Sequence, residues 1–96
     1  MLTGKQKRFL RSEAHHLQPL FQIGKQGLTE SVITQIEEAL ESKELIKVNI
    51  LQNCSEDRKT ISEKLSERVG LHVVQVIGNV LILYKESVDN KQIQLP

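Results

Sequence analysis

At 96 residues the chain is long enough for one domain, and its 39% hydrophobic and 26% charged residues exclude a disordered or fibrous protein. No apolar run nears the roughly 18 residues of a membrane span, and the opening MLTGKQKRFLRSEAHH lacks the apolar core of a signal peptide. The net charge of +1 hides an asymmetry: residues 1–29 hold Lys5, Lys7, Arg8, Arg11 and Lys25 against Glu13 alone, +4, and the remainder holds eight positive and eleven negative groups, −3. Such a skew can turn one surface toward a polyanion. The single cysteine, Cys54, cannot form an internal disulfide, so a reducing cytoplasm is the expected setting.

Thr3-Gly4-Lys5-Gln6 fits a capping box and predicts a first helix. At 100° per residue Phe9, Leu10, Ala14 and Leu17 fall on one side. Lys7, Arg8, Arg11 and His15 fall within an arc of roughly 100° on another, and Pro19 is expected to end the helix. Leu20–Ile23 is a short strand candidate running into Gly24. After Gly27, LTESVITQIEEALESK is the clearest amphipathic helix. Leu28, Val32, Ile36, Ala39 and Leu40 share its apolar face, with Ile33 at the border; Glu30, Glu37, Glu38 and Glu41 lie opposite, and Thr29 is the N-cap.

Leu45–Leu51 reads as a strand with Ile46, Val48 and Ile50 on one face. Ser55-Glu56-Asp57 opens a third helix, its acids in the first turn where the helix dipole favours them. Ile61, Leu65 and Val69 form its stripe, and Gly70 closes it. His72–Ile77 and Val80–Tyr84 are strands joined by Gly78-Asn79, which suits a type II′ hairpin. The last stretch, ESVDNKQIQLP, about residues 86–96, is polar and expected to be a loosely held tail. The order α-β-α-β-α-β-β places the chain in the α/β class as a single domain. Strand–helix–strand alternation implies parallel neighbours for the first three strands, and the hairpin adds one antiparallel strand, giving a mixed four-stranded sheet with packed helices.

No Ser/His/Asp arrangement suggests a nucleophile, which argues against an enzyme. Cys54 precedes the third helix, where a helix N-terminus can activate a thiol, but an inert loop cysteine has the same appearance. His15 and His16 point about 100° apart on a helix, and further metal ligands at suitable spacing are absent, so neither metal nor cofactor is expected.

Gly24-Lys25-Gln26-Gly27 matches neither a P-loop nor a dinucleotide fingerprint. Two readings stand. The glycines fit a tight turn, or they clear a path for phosphate to the unsatisfied amides of a helix N-terminus, with Lys25 adding charge, as in the GxxG loop of KH domains. The basic face of the first helix, in the same charge-skewed segment, favours nucleic acid. With only Phe9, Phe21 and Tyr84 as aromatics, contacts would rest on phosphates, 2′-hydroxyls and shape.

LTGKQKRFLRSEAHHLQPLFQIGKQGLTESV, ALESKELIKV, VVQVIGNVLILYK and the closing IQLP together resemble the CRM domain over nearly the whole chain, in particular its stand-alone bacterial members, the YhbY-type RNA-binding proteins. The resemblance implies a fold similar to the C-terminal domain of bacterial translation initiation factor three. It also implies non-catalytic binding of structured ribosomal RNA in precursors of the large ribosomal subunit. The family's GxxG loop falls on Gly24, Lys25, Gln26 and Gly27, and its basic surface on Lys5, Lys7, Arg8 and Arg11, beside His15. Lys85 stands where the family often has arginine, which keeps charge but loses the bidentate fork, and Ser12 stands where glycine is usual. The alternative is a protein-interaction module that docks on ribosomal proteins or an assembly factor through Glu30, Glu37, Glu38 and Glu41. No membrane or small-molecule substrate enters either reading.

Overall fold

The structure, a computed structural model, describes residues 2–96. Its elements are α1 (Gly4–Ala14), β1 (Pro19–Ile23), α2 (Glu30–Lys43), β2 (Leu45–Ile50), α3 (Arg58–Ser66), β3 (Leu71–Ile77) and β4 (Val80–Lys85). The local signals act as expected. Thr3 and Gln6 close a reciprocal capping box on α1, and the Thr29 hydroxyl accepts from the Val32 N–H at the head of α2. Gly78 has φ +57 in the two-residue turn that pairs Ile77 with Val80.

Two boundaries differ from the sequence pattern. Helix α1 ends at Ala14 rather than running to Pro19; His15 and Leu17 donate to carbonyls three residues back, and Pro19 opens an edge strand, where a missing N–H is harmless. Asp57 caps α3, and because the helix stops at Ser66, Val69 is 90% exposed instead of completing the apolar stripe.

The sheet order is β1-β2-β4-β3, with β1 parallel to β2 and β4 antiparallel to both its neighbours. The first three strands run in one direction, but β3 does not lie beside β2; β4 is inserted between them. The reason lies in burial. The hairpin keeps β3 and β4 adjacent, so only one of them can reach β2. Leu81, Ile82, Leu83 and Tyr84 are all buried, which suits a strand covered on both faces. Strand β3, with Gln75 and the exposed Val76 and Ile77, takes the edge and carries a bulge between Val73 and Gln75.

A core lies on each face. On one, Ile46, Val48 and Ile50 of β2 and Leu81 and Leu83 of β4 meet Ile33, Ile36 and Leu40 of α2 and Ile61 and Leu65 of α3. On the other, Leu45, Val74, Ile82 and Tyr84 meet Leu2, Leu10 and Ala14, so α1 covers the face opposite α2 and α3.

The tail is not loose. It has no regular structure, but the Glu41 carboxylate accepts from the Val88 and Asp89 N–H groups at 2.9 and 3.0 Å and from the Ser87 hydroxyl at 2.7 Å. Glu44 accepts from the Ser87 and Ile93 N–H groups at 2.9 and 2.7 Å, and Ile93 and Leu95 pack on the α1-side core. The bonds from Val88, Ser87 and Asp89 draw the Glu41 pKa down to about 2. Burial acts to raise Glu44, yet the N–H donors of Ser87, Gln92 and Ile93 leave it lowered. A carboxylate whose folded pKa is depressed stabilises fully above its unfolded value and stops doing so as the pH falls through the folded one. The tail should therefore stay docked at neutral pH and release between about pH 4.5 and about 2. Amide exchange at Ser87, Val88 and Asp89, followed down that range, should rise before exchange in β2 and β4.

Candidate nucleic-acid interface

The Gly24–Gly27 segment continues β1 into a turn closed by the Gly27 N–H donating to the Gly24 carbonyl at 2.9 Å. Gly27 has φ +73, and a Cβ there would stand 2.5 Å from Glu56 Oε1, so this glycine is required by backbone and neighbour alike. At Gly24 a Cβ would meet only Leu51 Cδ1, at 3.6 Å. The Leu28 N–H donates to Glu56 Oε1 at 2.7 Å, and Glu56 is in turn paired with Lys64. The Lys64 bond, with that from Leu28, holds the Glu56 carboxyl below its usual range.

The cradle is therefore smaller than the sequence implies. The Gly27 and Leu28 amides are committed inside the protein, and the exposed Lys25 and Gln26 carry what the loop presents outward. Gly27→Ala should cost about 2 kcal/mol through the left-handed backbone and the displaced Glu56, lowering the melting temperature by roughly 10 °C. Gly24→Ala should stay within about 0.5 kcal/mol. Thermal melts of the two variants check this asymmetry.

Three bonds gather the loops after β1 and β2 and the β3–β4 turn at one end of the sheet. They run from Leu51 N–H to the Ile23 carbonyl (2.9 Å), Ile50 N–H to the Asn79 carbonyl (2.7 Å) and Arg58 Nη1 to the Gly78 carbonyl (2.9 Å). Toward this end α1 covers its sheet face only in part: Ile82 stays buried, Lys47, Gln75 and Val80 are half-buried and Ile77 is exposed. A depression of about 310 Å³ there is lined by Arg11 and His15 of the α1 C-terminus, Lys47, Gln75, Ile77, Val80 and Ile82. Lys47 and Gln75 both stand opposite Ile82, forming a row across β2, β4 and β3. Ile50, paired with the last residue of β1, is three residues on from Lys47, so the GxxG loop begins about 10 Å along the strands from that row.

The depression brings Arg11 and His15 together with Lys47 and Gln75, which sequence reasoning did not name, and the GxxG loop leaves β1 at the same end of the sheet. The alternation of β2 does place Lys47 opposite Ile46 and Val48, but nothing local says that α1 stops short of it. The other predicted cations spread away. Lys5 and Lys7 lie toward the far end of α1, where Gln6 donates to the Pro96 carbonyl and the charge on Lys7 bears on His72 at the start of β3. Arg8 is exposed between the two groups. Lys85 is not brought to the site. It ends β4 opposite Leu71, at the other end of the sheet, and its ammonium is 4.0 Å from Glu37 of α2.

The ion pairs among the described residues gather on one side, although Lys43, Arg58 and Lys59 of α2 and α3 take no part in them. Among the described residues, every ion pair within 4.0 Å involves α2, α3 or the segments beside them: Lys64–Glu56, Arg68–Glu30, Arg68–Glu37 and Lys85–Glu37. Lys5, Lys7, Arg8, Arg11, Lys25 and Lys47 take part in none of these. The acidic face of α2 is correspondingly not an open row, since Glu37 holds Arg68 at 3.1 Å and Glu41 holds the tail. His15 and His16 meet edge to face at 5.3 Å between ring centres; among the described residues no three potential ligands gather as a metal site, and no helix is long and apolar enough to cross a membrane.

Residues 2–85 match the family model of the CRS1/YhbY (CRM) domain. The chain belongs to the CRM family. It is 60% identical to "Probable RNA-binding protein YqeI" of Bacillus subtilis over the full length of both chains. It is 43% identical to a protein of Haemophilus influenzae named "RNA-binding protein", covering 99% of this chain and 95% of that one. A Staphylococcus aureus protein determined in solution superposes with a TM-score of 0.81 at 55% identity, each chain covered completely. The fastened tail lies beyond the matched CRM residues, yet closes against the second helix of the CRM fold.

Proposed function

We propose that this CRM protein is a non-catalytic RNA-binding protein that assists assembly of the large ribosomal subunit in the cytoplasm. The observation that carries the reading is the segregation of charge. Lys64, Arg68 and Lys85, on or beside the α2/α3 side, are paired with acids, whereas the cations of α1, the GxxG loop and Lys47 enter no ion pair among the described residues, and Arg11 and Lys47 meet at the depression. The names of the relatives from Bacillus and Haemophilus support RNA as the polyanion. Arg11 and Lys47 would hold phosphates at the depression, Lys25 and Gln26 would extend the contact at the loop, and Lys5, Lys7 and Arg8 would steer RNA along α1.

If about four phosphates are engaged, log affinity for a precursor ribosomal RNA fragment should fall with log salt at a slope of roughly −3. Lys25→Ala and Lys47→Ala should each weaken binding evenly across sequences and flatten that slope by about 0.7. Nuclease treatment of precursor particles should release the protein. Retention after complete RNA digestion would instead point to docking on protein.

A further inference from the structure

We infer that the depression beside Arg11 receives an unpaired nucleotide, its base resting on Ile77 and Val80 over the buried Ile82 and its phosphate between Arg11 and Lys47; this rests on the RNA-binding reading above. Phosphate contacts alone do not explain the composition of the site. Its floor is apolar, and Ile77 is 55% exposed beside Arg11 and Lys47. Other exposed aliphatics, such as Val69 and Val88, stand away from it. At Ile77 exposed apolar surface meets unpaired cations in one concavity.

The lining contains no carboxylate: Arg11, His15 and Lys47 supply positive or donor groups, and the Gln75 carboxamide supplies both a donor and an acceptor. A ligand complementary to all of these has an anionic part, a flat apolar part and a polar edge. A nucleotide with its base swung out of a helix has all three, whereas an A-form duplex recesses its base faces and shows this surface only ribose and phosphate. The volume of about 310 Å³ is at the small end of the range for bound small molecules, room for one nucleotide and not for a stack of several. The Gln75 amide, beside the floor, is placed to read the base edge.

The test is a titration of methyl-labelled protein with a single-stranded ribotetranucleotide, the same ribose-phosphate chain without bases, and a blunt RNA duplex. The Ile77 and Ile82 methyl resonances should shift with the tetranucleotide and not with the duplex. The baseless chain should bind about five-fold more weakly, the change expected from a few tens of Å² of apolar contact. Ile77→Ser, or Ile77→Ala should the first variant not fold, should remove most of that difference and leave duplex binding as it was. Equal affinity for the chains with and without bases, or unmoved Ile77 and Ile82 methyls, overturns the nucleotide subsite while leaving phosphate-based RNA binding intact. Absence of binding to all three RNAs overturns both.

Discussion

The double substitution Arg8→Glu with Arg11→Glu is expected to lower affinity for ribosomal RNA by more than ten-fold near physiological salt, with a melting temperature only a few degrees below the parent's. It takes the formal charge of the chain from +1 to −3 and concentrates the change on one helix about 16 Å long. Within a screening length of about 8 Å, attraction at Arg11 and Lys47 becomes repulsion beside the phosphates. Losing the Arg11 contact should also cut the salt slope from roughly −3 to about −2. Stability should move little for local reasons. Neither arginine has an ion-pair partner among the described residues, and arginine and glutamate are similar helix formers. The main penalty is at Arg11, where the last turn of α1 favours a cation by about 0.5 kcal/mol. Filter binding across a salt series and a melt of the same sample are the measurements. Parent-like affinity in the double variant would refute the assignment of α1 to the RNA surface.

Glu44→Ala is expected to be the most destabilising single truncation outside the apolar cores, by about 3 kcal/mol, or a fall of roughly 15 °C in melting temperature. Glu44 is completely buried, and its side chain accepts from three main-chain N–H groups of the tail, those of Ser87, Gln92 and Ile93. Removing the carboxylate leaves those donors without their charged acceptor. The chain then either keeps them unsatisfied or releases the tail and loses the packing of Ile93 and Leu95.

The backbone adds a diagnostic. Glu44 caps α2 at φ +64, a conformation that disfavours a side chain and suits glycine. A glutamate persists at a position glycine would fill with less strain because the carboxylate is needed. Glu44→Gly should accordingly be less damaging than Glu44→Ala by about 1 kcal/mol, although both lose the tail. Urea unfolding ranks the two variants, and faster tryptic cleavage after Lys91 reports tail release in each. Equal stability of Glu44→Ala and the parent would show that the tail contributes nothing to the fold.

What could be read along the chain was whatever depends on residues a few positions apart. Thr3 with Gln6, Thr29 with Val32 and the glycine of the β3–β4 turn act within three or four residues, and the apolar periodicities of α2 and β2 act within a turn or two, so the pattern of types suffices. The α-β-α-β-α-β-β order followed, and with it the fold class. The resemblance to CRM proteins was carried by motifs of the same local kind.

The bonds that fix the GxxG loop and close the opposite face join residues 28 to 49 positions apart: Leu28 to Glu56, Arg68 to Glu37, the tail to Glu41 and Glu44. No local pattern distinguishes a solvated glutamate from one that will meet an arginine or a main-chain amide after folding. For this reason the acidic face of α2 read as an open surface and the last eleven residues as a loose tail.

The sequence by itself determined the elements, their caps, the two-sided apolar content of the sheet and the surplus of positive charge in the first third. Tertiary structure alone decided that β4 separates β2 from β3, that Glu56 lies under the GxxG loop, that Lys85 faces away, and that α1 stops short of Lys47 and leaves a basic, apolar-floored depression. Periodicity fixes which side of an element is apolar, because side-chain direction repeats with the backbone. Which surface then covers that side, and where cover runs out, is set by competition among distant segments for the same buried area.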